Sequence, residues 1–212
     1  MKRIALVFIV GTLILVGSFS GMKGYNKDSD TMNEQKKYDV ATFGAGCFWC
    51  TEAVFERLKG VDRVVSGYSG GHVEKPSYKE VTSGQTGHAE VCQIFFDPEV
   101  ISYEELLDVF WHTHDPTTLN RQGNDHGPQY RSVIFYHDAE QQRIASESKK
   151  YMAISGTFRD PIVTEINEFT DFYKAETYHQ DYFKNNPNQP YCTFIVKPKV
   201  EKFSVKYQDK LK

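Results

Sequence analysis

The sequence predicts an α+β fold, a two-layer α/β sandwich with ferredoxin-like connectivity around a mixed sheet. Strand-like and helix-like hydrophobic patterns alternate along the chain, in the manner of consecutive β-α-β units with helices on one side of a sheet. No segment repeats and no low-complexity tract interrupts the alternation. The 212 residues, 40% hydrophobic and 14% aromatic, suffice for one full core, which favours a single domain.

The chain opens on Met1-Lys2-Arg3 and then runs apolar from Ile4 to Phe19, broken only by Gly11, Thr12, Gly17 and Ser18. Basic start, apolar run and small residues at Ser18-Phe19-Ser20 make residues 1–20 a signal peptide, with an uncleaved anchor through residues 4–19 as the alternative. Either reading implies an exported protein, periplasmic or on the outer face of a membrane, where disulfides persist. Residues 21–37, rich in Lys, Asn, Asp, Ser and Gly, read as a solvated linker, leaving 38–212 as the folded domain.

Tyr38 to Phe43 alternates like a strand and runs into the turn Gly44-Ala45-Gly46. Thr51 to Leu58 places Ala53, Val54, Phe55 and Leu58 at helical spacing, and Gly60 stops it, so Cys47 falls at a strand-to-helix junction. Val61 to Gly67 is a second strand, followed by a glycine-rich loop and a short helical stretch from Tyr78 to Val81. His88 to Phe96 is a buried strand, Ser102 caps a helix to His112, and Asp115 to Gln129 is a polar, turn-rich loop. Ser132 to Tyr136, Ala139 to Met152 and Ile162 to Ile166 follow as strand, helix and strand.

The formal net charge of −3 is mixed in sign along the chain, with no basic stripe to neutralise phosphates, so nucleic acid is excluded as a partner. Four cysteines remain beyond the leader: Cys47, Cys50, Cys92 and Cys192. A chain of this length does not need disulfide staples, so each cysteine asks for its own explanation.

Glycines before Cys47 leave its sulfur uncrowded, and a helix starting there aims free N–H groups at it, an environment that favours thiolate. Phe48 and Trp49 offer large apolar faces, suited to a neutral substrate with an apolar end, although helix-start aromatics also pack inward as core. The C-x-x-C pair Cys47/Cys50 has two further readings. One is a thioredoxin-type redox pair, which Trp49 in the interior does not suit. The other is half of a zinc site with His112 and His114, whose spacing is not that of a zinc finger; no metal is expected. On the strand around Glu90, period-two alternation sets His88, Glu90, Cys92 and Ile94 on one face. A carboxyl buried there is held protonated and can donate a proton, whereas the same residue on a solvent face is ordinary.

Three separated stretches carry a resemblance: Gly46-Cys47-Phe48-Trp49, Thr86-Gly87-His88-Ala89-Glu90-Val91, and Gly123 through Asn124-Asp125-His126-Gly127-Pro128-Gln129-Tyr130 to Arg131-Ser132. Together, in this order, they resemble the type A peptide methionine sulfoxide reductases from about Ala41 to about Lys199. The resemblance implies that Cys47 attacks the sulfoxide sulfur while Phe48 and Trp49 hold the substrate methyl group. It implies further that Glu90 protonates the oxygen, Tyr78 and Tyr130 hydrogen-bond it, and Asp125 fixes the substrate backbone. The product would be a Cys47 sulfenic acid resolved by a second thiol. Cys192, in Gln189-Pro190-Tyr191-Cys192 after a polar stretch, resembles the family's C-terminal resolving cysteine and is expected to be accessible. Cys50 is the rival, standing where many family members have glycine, and the family's glycine-rich tail is replaced by Thr193 to Lys199 and a lysine-rich end. The implied enzyme is a monomeric oxidoreductase that repairs oxidised proteins, acting on the S epimer of methionine sulfoxide, free or in proteins. It needs no cofactor beyond an external dithiol such as thioredoxin.

Overall fold

Residues 38–212 are described by a computed structural model. The leader and linker expected at 1–20 and 21–37, and with them the anchor through 4–19, lie outside the described residues. A six-stranded mixed sheet organises the domain. Its strands are β1 (Asp39–Ala45), β2 (Val61–Ser69), β3 (Ala89–Phe96), β6 (Ser132–Tyr136), β7 (Glu165–Glu168) and β8 (Phe172–Lys174), in spatial order β7-β6-β1-β3-β2-β8. All neighbours are antiparallel except β6 and β7. A separate two-stranded hairpin joins β4 (Arg121–Gln122) to β5 (Asp125–His126) within the stretch expected to be loop.

Period-two alternation decides which face of the sheet each side chain meets. Ala41, Phe43, Cys92, Ile94, Phe96 and Ile134 face the main core, which also takes residues from α1 (Phe48–Phe55), α3 (Tyr103–Thr113) and α4 (Ala139–Ile154). Ala89, Val91, Val133 and Phe135 face the other way, under Phe169 and Phe172. Glu90, between Ala89 and Val91, therefore points into the helical layer and is 1% exposed.

Each helix begins where the local chemistry allows. Ser102 closes a capping box with Glu105 at the start of α3, Ser77 does the same with Glu80 at α2 (Tyr78–Thr82), and Asp138 accepts from the Gln141 amide at α4. Helix α1 has no side-chain cap and begins at Phe48, three residues before the expected Thr51, so Cys47 itself is its N-cap residue and Phe48, Trp49 and Cys50 form its first turn. The α3 and α4 layer is tied by Trp111 Nε1 donating to Ser148 Oγ at 2.7 Å.

One expected strand shifts, and two regions carry structure that the sequence pattern did not announce. The strand expected at Ile162 to Ile166 lies instead at Glu165–Glu168, because Val163 N–H bonds the carbonyl of Pro116 in a loop and Ile162 follows Pro161, which has no N–H to give a ladder. The edge strand β8 is only three residues long and has no periodic signal to display. The chain after Tyr182 is largely helical: α5 (Tyr182–Asn185), a wide π turn at Cys192–Val196, and α6 (Lys197–Lys206). Its end is strapped to α1, with Lys59 N–H bonding the Lys210 carbonyl and Lys212 N–H the Arg57 carbonyl.

Candidate active site

Cys47 stands between β1 and α1 because the backbone there can turn within two residues. Gly46 adopts φ +89°, and a Cβ on it would fall 2.5 Å from the Gln122 side chain. A Cβ on Gly44 would fall 3.0 Å from the carbonyl oxygen of Glu90, so the missing side chain lets the strand carrying the acid approach the strand leading to the thiol. The result is a direct link: Phe48 N–H donates to Glu90 Oε2 at 3.0 Å, holding the carboxyl beside the cysteine at the free N–H end of α1.

Burial dominates the electrostatics. It pushes the Glu90 carboxyl up to about 8, with Asp125 adding to the rise and the Phe48 N–H opposing it, so Glu90 carries its proton at neutral pH. Tyr78 is half-buried, and its hydroxyl is raised to about 12 by burial and then by Glu90 and Cys47; Tyr130 is raised by burial, Glu90, Tyr78 and Cys47. The two hydroxyls and the carboxyl thus stay neutral near pH 7, within electrostatic reach of one another and of Cys47. Burial also raises the Cys47 thiol well above the ordinary range, helped by a hydrogen bond to Cys50, so the thiolate expected from the helix start is not the resting form of Cys47. Cys50 goes the other way, down to about 7, chiefly through that hydrogen bond and through Lys199.

The aromatic wall is built mostly from the C-terminal third. Tyr182 stacks on Trp49 with ring centroids 3.6 Å apart and planes 5° from parallel. Trp49 Nε1 donates to His179 Nδ1 at 3.0 Å, and the His179 ring also lies 4.9 Å from Phe48 and 4.4 Å from Tyr78. Tyr191 donates to Asp125 Oδ2 at 2.5 Å and lines the same cleft as Cys47, tying the β5 hairpin to the thiol's surroundings. Glu176 accepts from the Tyr78 amide at 2.8 Å and from the Tyr68 hydroxyl at 2.9 Å, fixing the loop that presents Tyr78. Glu52, buried and pushed up to about 7 by desolvation, accepts from Ser66 Oγ and the Tyr182 amide. The sequence reading passed over Tyr182, His179, Tyr191, Glu176 and Glu52. Nothing in local spacing marks them; only the position of Tyr191 beside Cys192 could have drawn notice.

The remaining cysteines separate clearly. Cys47 is the least buried of the four at 7% exposure, the access a substrate needs. Cys92 bonds the Phe48 carbonyl and Ser66 Oγ inside the sheet. Cys192 is 0% exposed, so the accessible thiol expected there is instead packed into the core by the π turn that begins with it. A cleft of about 370 Å³ reaches Cys47 and Cys50 between α1, the β4–β5 turn and α6, lined also by Asp125, Tyr191, Ile195 and Lys199. His114 uses both ring nitrogens at 2.7 Å, on the Phe110 carbonyl and Ser132 Oγ, so it has none to offer a metal beside the cysteines.

The sequence profile of the peptide methionine sulfoxide reductases matches residues 39–211. The chain belongs to the peptide methionine sulfoxide reductase family. It is an oxidoreductase that reduces methionine sulfoxide. The reductase is 56% identical over 174 residues to peptide methionine sulfoxide reductase MsrA 1 of Rhodopirellula baltica, covering 82% of this chain and 90% of the relative. It is 50% identical over 185 residues to the MsrA of Ralstonia nicotianae, covering 85% and 97%. Among solved structures it is similar to Mxr1 of Saccharomyces cerevisiae in reduced form, with TM-score 0.68, 36% identity and coverage of 74% and 90%. The methionine sulfoxide reductase A of Corynebacterium diphtheriae follows, with TM-score 0.65, 33% identity and coverage of 72% and 77%. The reductase thus spans most of each of these proteins.

Proposed function

We propose that Cys47 is the nucleophile that reduces the S epimer of methionine sulfoxide, free and in proteins, with Glu90 as the acid. The observation that carries this is the buried, protonated Glu90 held by the Phe48 amide beside the Cys47 sulfur. Attack of Cys47 on the sulfoxide sulfur breaks the S–O bond, and charge gathers on the departing oxygen. Neutral O–H donors placed in advance at Tyr78 and Tyr130 stabilise that charge, and Glu90 supplies the proton. Cys47 gives up its proton as its sulfur bonds the sulfoxide sulfur, and Glu90 protonates the departing oxygen to hydroxide; that hydroxide attacks the Cys47 sulfur, the S–S bond breaks, methionine departs, and Cys47 is left as a sulfenic acid while its released proton restores Glu90. Phe48 and Trp49 receive the substrate methyl group, and Asp125 faces its backbone. A second thiol, Cys50 or Cys192, then closes a disulfide with loss of water, and an external dithiol of the thioredoxin class reopens it.

The C-x-x-C pair would also serve general thiol-disulfide exchange, but that reaction has no use for a protonated Glu90. Steady-state turnover with a dithiol separates the two: Cys47→Ser and Glu90→Gln both lose sulfoxide reduction on this reading, whereas undiminished reduction in Glu90→Gln contradicts it. For the fold, the order β6-β1-β3-β2 with α1 after β1 and α3 after β3 supports a two-layer sandwich of ferredoxin-like connectivity. The leader composition supports export, which cell fractionation with the leader intact and deleted tests, and an exported enzyme calls for a membrane-linked or thioredoxin-like donor.

A further inference from the structure

We infer that the lysine face of α6 is a binding surface for acidic protein substrates: it seats an acidic stretch that flanks the oxidised methionine on one side. The inference rests on the reductase reading of the Cys47 cleft and names the class of protein that reading acts on.

Helix α6 presents two faces. Val200 and Phe203 are buried and hold the helix to the core. Lys199, Lys202 and Lys206, three and then four residues apart, share a neighbouring face, with Lys199 half-buried and the other two exposed. These three lysines line a groove of about 480 Å³ that also takes in His112, Asp115 and Gln122. Lys199 and Gln122 line the Cys47 cleft as well, so groove and cleft are one continuous surface. Gln122 is fixed at that junction: its Oε1 accepts from the Asp115 N–H and its Nε2 donates to the Asp115 carbonyl, both at 2.9 Å.

The positive charge along the groove is unspent. Among the described residues the lysine ion pairs are those of Lys184 with Asp181 and Lys210 with Glu105, so Lys199, Lys202 and Lys206 have none. Lys206 lies 5.4 Å from the centre of the Tyr207 ring. Of the described residues that line the groove, Asp115 is the one carboxylate, and it already accepts from the Thr117 N–H and Oγ1. Asp108, one turn before His112, is taken by His112 Nδ1 at 3.2 Å and by the Tyr207 hydroxyl at 2.8 Å. Glu201, two residues from Lys199, falls on the far side of the helix. The chain as a whole carries a net charge of −3, so this groove is a positive face on a molecule of the opposite overall sign.

The spacing of the lysines selects the occupant. From Lys199 to Lys206 the helix rises about 10 Å, the length of about three residues of extended chain leaving the cleft. Charges strung out in this way do not converge on a single phosphate or carboxylate, and they match a row of acidic side chains. A nucleic acid would need a longer basic stripe than this one face supplies.

The test measures donor-free single turnover by the reduced full chain, with peptide well below saturation. Each peptide holds one methionine S-sulfoxide with three aspartates, three glutamines or three lysines on its N-terminal or its C-terminal side; N-acetylmethionine-S-sulfoxide methylamide is the substrate without a flank. The inference predicts that aspartates on one side raise the rate about threefold to tenfold over glutamines, that lysines there lower it, and that about 0.5 M salt erases the difference. Lys202→Gln combined with Lys206→Gln removes the gain and leaves the methylamide rate unchanged, and arginine at both positions restores it, which separates charge from packing. Equal rates for the aspartate and glutamine peptides on both sides overturn the inference, as does a gain that survives in the double glutamine variant. An effect of the double variant seen only when a thioredoxin-class donor drives turnover assigns the face to the donor and also overturns it. Those outcomes leave reduction of the methylamide, and so the reductase reading, standing; no reduction of the methylamide by the unmodified chain removes the reading and the inference together.

Discussion

The acid role proposed for Glu90 depends on where β3 places it, since a glutamate on the opposite register would meet the Phe169 and Phe172 side of the sheet. Its carboxyl, raised to about 8 by burial, is protonated below that pH and ionised above it. Activity is therefore expected to fall as pH rises through about 8, measured as kcat/KM for the S-sulfoxide. Glu90→Gln keeps an acceptor for the Phe48 amide but has no proton to give; it should lower kcat about 10²- to 10⁴-fold and abolish that alkaline limb. Trp49 is held from the other side by the Tyr182 stack and by His179. Tyr182→Ala should weaken substrate binding by about 1 kcal/mol, seen as a KM roughly fivefold higher, because the indole loses its stacked support. Cys47, Phe48, Trp49, Glu90 and Asp125, the site residues proposed from short sequence motifs, are brought to one region of the fold. Tyr182 and His179 carry no such motif, because each is more than 100 residues from the site groups it touches, and only folding makes them neighbours.

At the scale of elements, the α1 start is the piece on which the site depends. Gly46 holds a left-handed φ that a Cβ disfavours by about 1–2 kcal/mol. Gly46→Ala should lower stability by about that amount, measured by urea unfolding, and should cost activity beyond its share of unfolded protein because Cys47 moves with it. Ser102→Ala removes one side of the α3 capping box and should cost about 1 kcal/mol without touching turnover. The sequence located β1, β2, β3, β6 and α4 closely because each is long and periodic. It missed β8 and the helical C-terminal segments because short edges and segments with mixed polar and apolar faces carry no period. It also set α1 three residues late, since the first turn of that helix is defined by backbone conformation at Gly46 and Cys47 rather than by a hydrophobic repeat.

For the whole molecule, buried titratable groups set the pH range of stability. Glu90 and Glu52 have folded-state values of about 8 and about 7 against an ordinary 4.5, so the folded chain holds their protons more tightly. The stability they contribute is present below about pH 4.5 and is lost as pH rises through 7 to 8. His114 is held near 4 against an ordinary 6.5 by burial, so its contribution is present above 6.5 and is lost as pH falls toward 4. The urea midpoint should therefore fall between pH 6 and 9, and the fall should be reduced in Glu52→Gln. The same packing that produces these shifts encloses one thiol, one acid and two phenols, and that site is the centre of the account. Its most direct test mixes the reduced full chain, without donor, with the separate S and R epimers of a methionine sulfoxide peptide, and counts methionine formed and thiols lost. The account predicts about one methionine per chain from the S epimer alone, about two thiols lost, and none of either in Cys47→Ser. Methionine formed equally from both epimers, or formed by Cys47→Ser, would contradict it.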